Sequence, residues 1–515
     1  MQGFEQKMYP RINLIYYNTG MYRRPSRKKE IIRRSLVYTT MSLLIAAIVT
    51  GLIFIILGYS IDTNNGKIER SALLRYDSIP SGATIAVDGK ELGSKTPAKS
   101  MVIDGSHTFT MTKDGYLTWT KKLDIQAGTL TWLSYVRLVP VNRAVEAVAS
   151  YPKLSATLAT TDGQKIAVQP DSSVPSINLV DVSAADIKTS ALTLPTTLYT
   201  DAGKDGVSHK FRLDQWDTDG RYLLVEHDYT DALQSTKVEW LVIDTNSVGG
   251  SRNITKLLDL DISSPVFAGT SGNILYVLSG GDIRKLDLSA QTISRSLVTS
   301  VSSFGLYDTN VITYVGALST GAGKRVVGLY RDGDSQPHVL RTIESTVTAP
   351  VHIATSRYYN ADYVAISVGS KIDILSGNYP ASGSNDSSGL SSFASFDLSK
   401  DVANLSFSPK GYYVLAQSGT AFTSYDIEHQ LANSSVVTSD ASATVKPLLW
   451  LDSDHVWSDY NSSLSMRDFD GTNTIVINQV AAGFDASLTH SGRYFYSVGK
   501  TSSGYQLQRV RMILP

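Results

Sequence analysis

Arg23, Arg24, Arg27, Lys28, Lys29, Arg33 and Arg34 lead directly into an apolar run, Leu36 to Ser60, and no Asp, Glu, Lys or Arg follows until Asp62. A helix rises about 1.5 Å per residue, so roughly 20 apolar residues cross a hydrocarbon core of about 30 Å. The helical form also satisfies each backbone amide internally, as lipid requires. Basic flanks stay on the cytoplasmic side, which predicts an inside N-terminus and an outside body after Asp62. A cleaved signal peptide has a shorter apolar region, of about 7–15 residues, and Gly58-Tyr59-Ser60 is a weak match to its cleavage site. A buried core helix would carry a polar stripe, and this run is apolar on every face. The expectation is a basic cytoplasmic leader over residues 1–35, an uncleaved transmembrane helix over 36–60 and a linker over 61–75.

The 515 residues exceed what one core normally organises, so several domains are expected. Lys plus Arg balance Asp plus Glu at 47 each. Because the leader is strongly basic, the body is net acidic, which argues against nucleic acid as its partner. Plentiful Tyr, Thr, Ser and Val favour strands. Cysteine is absent, so disulfides, thiol chemistry and thiolate metal sites are excluded. An exported body without disulfides points to a bacterial envelope. The Asn-x-Ser/Thr triplets at Asn253, Asn385, Asn404, Asn433 and Asn461 are then chance products of a Ser/Thr-rich chain.

From Tyr76 the chain reads as short strands separated by turns. Pro80-Ser81-Gly82 opens a turn, and Ala83–Val87 alternates like a half-buried strand. Asp88-Gly89 is a strong hairpin signal. Lys95-Thr96-Pro97, Asp104-Gly105 and Asp114-Gly115-Tyr116 break the chain again before two last strands, LTWTKKLDI and TWLSYVRLV. The ordered set Pro80-Ser81-Gly82-Ala83, Val87-Asp88-Gly89-Lys90, Gly93, Thr96-Pro97, Gly105 and Gly115-Tyr116 resembles the PEGA domain, with Ser81 where Glu is typical. The resemblance covers residues 76–140 and implies a small β-sandwich, a non-catalytic spacer or contact module of envelope and surface proteins.

Residues 141–515 repeat one pattern: an Asp/Ser/Asn–Gly turn, an aromatic and aliphatic strand, and a second strand ending in Asp. The first half recurs at Thr160–Val168, Asp217–Val225, Thr270–Leu278, Tyr307–Val315, Tyr359–Ser367, Ser408–Ala416, Asp452–Tyr460 and His490–Val498. The second half ends at turn aspartates Asp181, Asp244, Asp287, Asp332, Asp373, Asp426 and Asp468. Such a period is that of propeller blades, which bury their faces only against each other. The pattern predicts seven or eight blades, with Ala144–Ser150 supplying the strand missing from the last unit. Ser408-Pro409-Lys410-Gly411 is similar to the turn of Tol-type and WD-like propellers. A β-sandwich array is the alternative architecture. Tyr379–Ser392 and Pro195–Ser208 read as polar loops displayed on the scaffold.

The residue patterns assign no catalytic, cofactor-binding or metal-ligating residue, and no cofactor. His107, His209, His227, His338, His352, His429, His455 and His490 are scattered, and no H-E-x-x-H or G-x-S-x-G occurs. Gly316–Arg325 imitates a phosphate loop but lacks its spacing and its Ser/Thr. The acidic turns at Asp217–Gly220, Asp452–Asp454 and Asp468–Gly471 suit calcium only partly, and an Asp-Gly turn explains them without a metal. The reading is an all-β ectodomain, a PEGA-like sandwich plus a propeller, on one transmembrane helix in a bacterial plasma membrane. It is a non-catalytic surface protein that binds an envelope protein or a cell-wall polymer. The alternative is an envelope hydrolase or lyase with its site in the propeller channel. A sensory role would need a separate partner, because the leader is too short to fold an effector domain.

Overall fold

The computed structural model describes residues 27–56, 59–61, 68–201, 208–231, 235–269, 272–317, 323–380 and 389–515. Contacts divide the chain into two units. One comprises Met1–Arg75, Lys99–His107 and Leu123–Trp132, the other Tyr76–Ala98, Thr108–Lys122 and Leu133–Pro515.

The first unit holds the helix Arg27–Ile56, whose most apolar 18-residue window has a mean hydropathy of 2.1; the stretch Arg27–Phe54 is long and apolar enough to cross a membrane. It already includes Arg27 to Ser35, ahead of Leu36, since Arg, Lys and Glu are good helix formers and Glu30 pairs with Arg34 one turn on, at 2.9 Å. At its other end Tyr59 and Ser60, read above as the close of the membrane segment, belong to the strand Tyr59–Ile61, which pairs with Ile68–Arg70. The strand Ile68–Ile79 also begins inside the expected linker. Its alternation explains this: Ala72 and Leu74 are fully buried while Leu73 is exposed. Tyr59–Ile61, Ile68–Ile79, Ala98–Ile103 and Leu130–Arg137 form one four-stranded sheet.

In the second unit Thr84–Val87 turns through Asp88 and Gly89, at φ 50° and 80°, into Lys90–Lys95. Two successive positive φ values make the tight hairpin that Asp-Gly favours. Thr84–Val87 also pairs residue by residue with Phe109–Thr112. This second four-stranded sheet completes the two-sheet composition expected of the small sandwich.

Eight further four-stranded antiparallel sheets follow, seven of them built from consecutive strands. All eight repeated turn–strand segments supply the second strand of a sheet, as at Lys165–Gln169, Tyr222–Thr230 and Tyr494–Thr501. These strands are nearly continuous apolar runs and are buried along their length, as in Val311–Ala317 and Ala361–Val368. Eight apolar cores join the sheets. Leu192, Phe211 and Leu241 tie the first to the second, and Trp240 and Leu275 the second to the third. The succession continues to Trp457 and Phe495 between seventh and eighth, and Val498 and Val168 between eighth and first. Each core draws on two consecutive sheets and the last returns to the first, so the sheets form a closed eight-bladed propeller. Closure is by Val145–Tyr151, which pairs with Gly504–Arg511 as the expected fourth strand. At Gly411, φ 82°, a Cβ would press on the Arg357 carbonyl at 2.7 Å and on Ser356, so the Lys410-Gly411 turn lies against the backbone of blade five.

Three local expectations change. Asp373 does not end a strand; it sits within Lys371–Asn378, which starts right after the tight Gly369-Ser370 turn, and its carboxylate pairs with Arg341. Gly389–Ser392, read as loop, belongs to the strand Gly389–Asp397, while residues 381–388 lie outside the described residues. In the Pro195–Ser208 connection Leu198 and Tyr199 are core residues between blades one and two, because their side chains are apolar and aromatic; residues 202–207 lie outside the described residues.

Candidate functional site

Antiparallel strands put the turns between first and second, and between third and fourth, strands on one side of the ring. Second-to-third turns and blade-to-blade connections lie on the other. The PEGA-like strands meet the first of these sides at blades seven and eight. Trp119 Nε1 donates to Asp468 Oδ2 at 3.0 Å, and Lys121 Nζ pairs with Asp470 and donates to Thr472 at 3.0 Å. Arg137 Nη2 donates to Asp452 Oδ2 at 2.9 Å. His455, 2% exposed, bridges two of these carboxylates: its Nδ1 lies 2.8 Å from Asp452 and its Nε2 3.6 Å from Asp468. Around them Tyr135 packs edge-on to Phe469 at 5.4 Å, Phe469 stacks on Tyr413 at 3.9 Å, and the Tyr116 hydroxyl accepts from the Leu514 amide at 2.7 Å.

The electrostatics follow from this crowding. Burial pushes Asp452 up, but the charge and hydrogen bond of His455 and the Arg137 guanidinium win and hold it well below the usual carboxylate range. Burial lowers His455, and the carboxylates of Asp452 and Asp468 outweigh it, so the imidazole titrates above its ordinary value. Burial raises Asp468 despite Lys121 and His455. The acidic turns considered for calcium thus have other employment. Asp217 accepts from the Arg221 and Tyr222 amides of its own turn, and Asp452 and Asp468 bind the PEGA-like strands.

A second polar core lies near the far side of blade two. His209 Nδ1 is 3.0 Å from His227 Nε2, and His227 Nδ1 is 2.8 Å from Glu239 Oε1. Thr200 donates to Glu239 from its amide at 2.6 Å and its hydroxyl at 2.9 Å. His227 is fully buried, stacked on Phe211 at 4.2 Å. Burial raises Glu239, but the hydrogen bonds from His227, Thr200 and Asn253 pull it down to about 2. Burial and the neighbouring His227 lower His209. These histidines were read as scattered. Strand register unites them, since Phe211 faces His227 and His227 faces Glu239 across the ladders. The spacing signal that existed was local: Asp426 and His429, like Asp452 and His455, pair across three residues at 2.8 Å.

In the channel, the innermost strands of blades four to six line a cavity of about 220 Å³ with Ser303, Phe304, Val351, His352 and Asn404, joined by Thr313 of the next strand of blade four. His352 Nε2 is 3.0 Å from the Val402 carbonyl. On the innermost strand of blade two, Arg212 is bound by both Glu226 and Asp228. Of the remaining histidines, His338 lies 3.6 Å from Asp334, His107 reaches the Ile103 carbonyl and His490 is exposed. Among the described residues no three His, Asp or Glu side chains are arranged to hold a metal ion. The phosphate-loop imitation falls partly outside the described residues; its Arg325 donates to the Val347 and Ala349 carbonyls.

Comparison with known proteins adds the following. No curated protein matches the sequence. Among solved structures, the chain is similar to an oligogalacturonate lyase in complex with manganese, at 10% identity and a TM-score of 0.39 over 71% of this chain and 99% of that one. It is also similar to Porphyromonas gingivalis dipeptidyl peptidase 4, at 11% identity and a TM-score of 0.44 over 70% of this chain and 58% of that one. A third is Kluyveromyces lactis Hsv2p, at 11% identity and a TM-score of 0.36 over 70% and 100%. Residues 71–141 match the PEGA domain family.

Proposed function

We propose that this is a non-catalytic, single-pass envelope protein of a bacterial membrane, N-terminus inside, whose propeller binds another envelope protein or a cell-wall polymer. The reading takes as its modules a leader over 1–35, an anchor over 36–60, a linker over 61–75, a PEGA-like region over 76–140 and a propeller over 141–515. The observation that supports the reading is the commitment of one propeller side. Buried charges at blade seven fasten the PEGA strands there, and the far side carries exposed apolar residues such as Val174 and Val347, 43% and 37% exposed. Loops on a rigid ring are where binding concentrates.

The test uses the full chain in lipid nanodiscs, incubated with purified sacculi and with solubilised envelope proteins. Val174→Asp with Val347→Asp lowers retention about tenfold or more, whereas Tyr359→Asp, at a 79% exposed turn on the PEGA side, leaves it unchanged. Equal retention of both variants would refute the far-side assignment. Turnover of a polysaccharide or peptide by the wild-type chain would replace the non-catalytic reading with a channel enzyme.

A further inference from the structure

The sheet in the helix-bearing unit has a second face that its own fold leaves open. Ala72, Leu74 and Val102 point inward and are at most 6% exposed. The alternate residues Leu73, Met101, Ile103, Leu130 and Trp132 are 37–51% exposed. Backbone hydrogen bonds set their strands side by side: the Leu73 amide donates to the Thr129 carbonyl at 3.0 Å, and the Asp104 amide to the Arg70 carbonyl at 2.9 Å. The Arg75 guanidinium lies over the Trp132 ring at 5.0 Å, so that pair shares the face. Five large apolar side chains on neighbouring strands are more than scattered surface hydrophobics.

The face also has a defined address. Tyr59–Ile61, the sheet's first strand, begins three residues after the helix ends at Ile56, and the rings of Phe54 and Tyr59 meet edge-on at 5.3 Å. The end of the sheet that carries Leu73, Ile103 and Leu130 is therefore continuous with the end of the apolar helix. A tryptophan beside an arginine, with aliphatic neighbours, is the chemistry of the bilayer interface, where an amphipathic ring sits at headgroup level and a guanidinium reaches phosphates.

We propose that this face lies on the headgroup region of the bilayer crossed by the helix, with Trp132 as its interfacial anchor. The proposal rests on the membrane-anchor reading, and its test separates the two. Full-length protein is reconstituted in phosphatidylcholine liposomes with or without bromines near the carbonyl end of the acyl chains, floated, and read by tryptophan fluorescence. Of the six tryptophans, Trp132 is the exposed one; Trp119, Trp216, Trp240 and Trp457 are buried and Trp450 half-buried. The expected result is flotation with a bromine-dependent loss on the order of one indole's share of the emission, abolished in Trp132→Phe and reduced in Leu73→Ser with Leu130→Ser. Flotation without quenching, or quenching that survives in Trp132→Phe, overturns the proposal and leaves the anchor standing. Shielding of Trp132 from aqueous iodide that disappears on dilution into excess lipid assigns the face to a second copy and overturns the proposal as well. Failure to float overturns both readings.

Discussion

The polar cores of blades two and seven each set a buried histidine, His227 or His455, against a carboxylate, and half-buried His209 beside the first is displaced in the opposite direction to His455. In blade two His209 has another imidazole for a neighbour, and burial together with that neighbour lowers it. In blade seven His455 lies between Asp452 and Asp468, and the two carboxylates raise it against its burial. The neighbour, not the histidine, decides the sign. The cores also differ in what they join. Glu239 holds Thr200 of the blade-to-blade connection, so blade two's core is internal to the ring. Asp452, Asp468 and Asp470 reach Arg137, Trp119 and Lys121, so blade seven's core fixes another domain.

The most disruptive test of this contrast is Asp468→Ala. It removes the acceptor of Trp119 Nε1 and of the Asn473 amide, which lies 2.9 Å from the carboxylate, and takes away one of the two carboxylates beside buried Lys121 and His455. Removing one member of a buried charge cluster costs about 3–5 kcal/mol, to be read from denaturant unfolding. Asp468→Asn keeps an acceptor for Trp119 and falls short of that loss. Next comes Glu239→Gln, which leaves the shape of blade two intact but removes a charged acceptor; about 1–3 kcal/mol is expected by the same measurement.

The third test is pH. Glu239 is depressed to about 2 from 4.5, so its contribution is full above the unfolded value and disappears as pH falls from 4.5 toward 2. His209, also depressed, adds to the acid loss below its unfolded value near 6.5. His455 is raised, so its contribution is full below 6.5 and fades as pH rises through the folded value. Unfolding midpoints followed across pH in Glu239→Gln and His455→Gln separate the arms: the first flattens the acid limb, the second the alkaline limb. An alkaline limb that survives unchanged in His455→Gln would break the comparison. The smallest effect is expected from His209→Gln, under about 1 kcal/mol, because the ring is partly open to solvent and its 3.0 Å hydrogen bond runs to another imidazole rather than to a carboxylate.

Much of the architecture was legible because it is written in local chemistry. Asp88-Gly89 specifies its hairpin, each turn–strand repeat became a second strand, and Val145–Tyr151 closes the ring as the missing fourth strand predicted. The blade number stayed between seven and eight because the last of the eight turn–strand units lacks a fourth strand of its own, which Val145–Tyr151 supplies from the other end of the domain. The apolar helix extends ahead of Leu36 to Arg27 because helix propensity carries it through charged residues that hydropathy excludes. The polar cores were half visible. Asp452 and His455 sit three residues apart, but Asp468 with Trp119 is a contact across 349 residues, and His209, His227 and Glu239 meet only through strand register. No spacing rule reaches that far.

The central claim is that buried charge makes the PEGA strands and blade seven one rigid body. Amide hydrogen exchange on the full chain in nanodiscs, wild type beside Asp468→Ala, tests it directly. The account predicts that Trp119–Lys121 and Ser463–Asp468 are protected to a similar degree in the wild type and lose protection together in the variant, while Thr236–Asp244 of blade two is unchanged. Exchange in Trp119–Lys121 that ignores the substitution would contradict it.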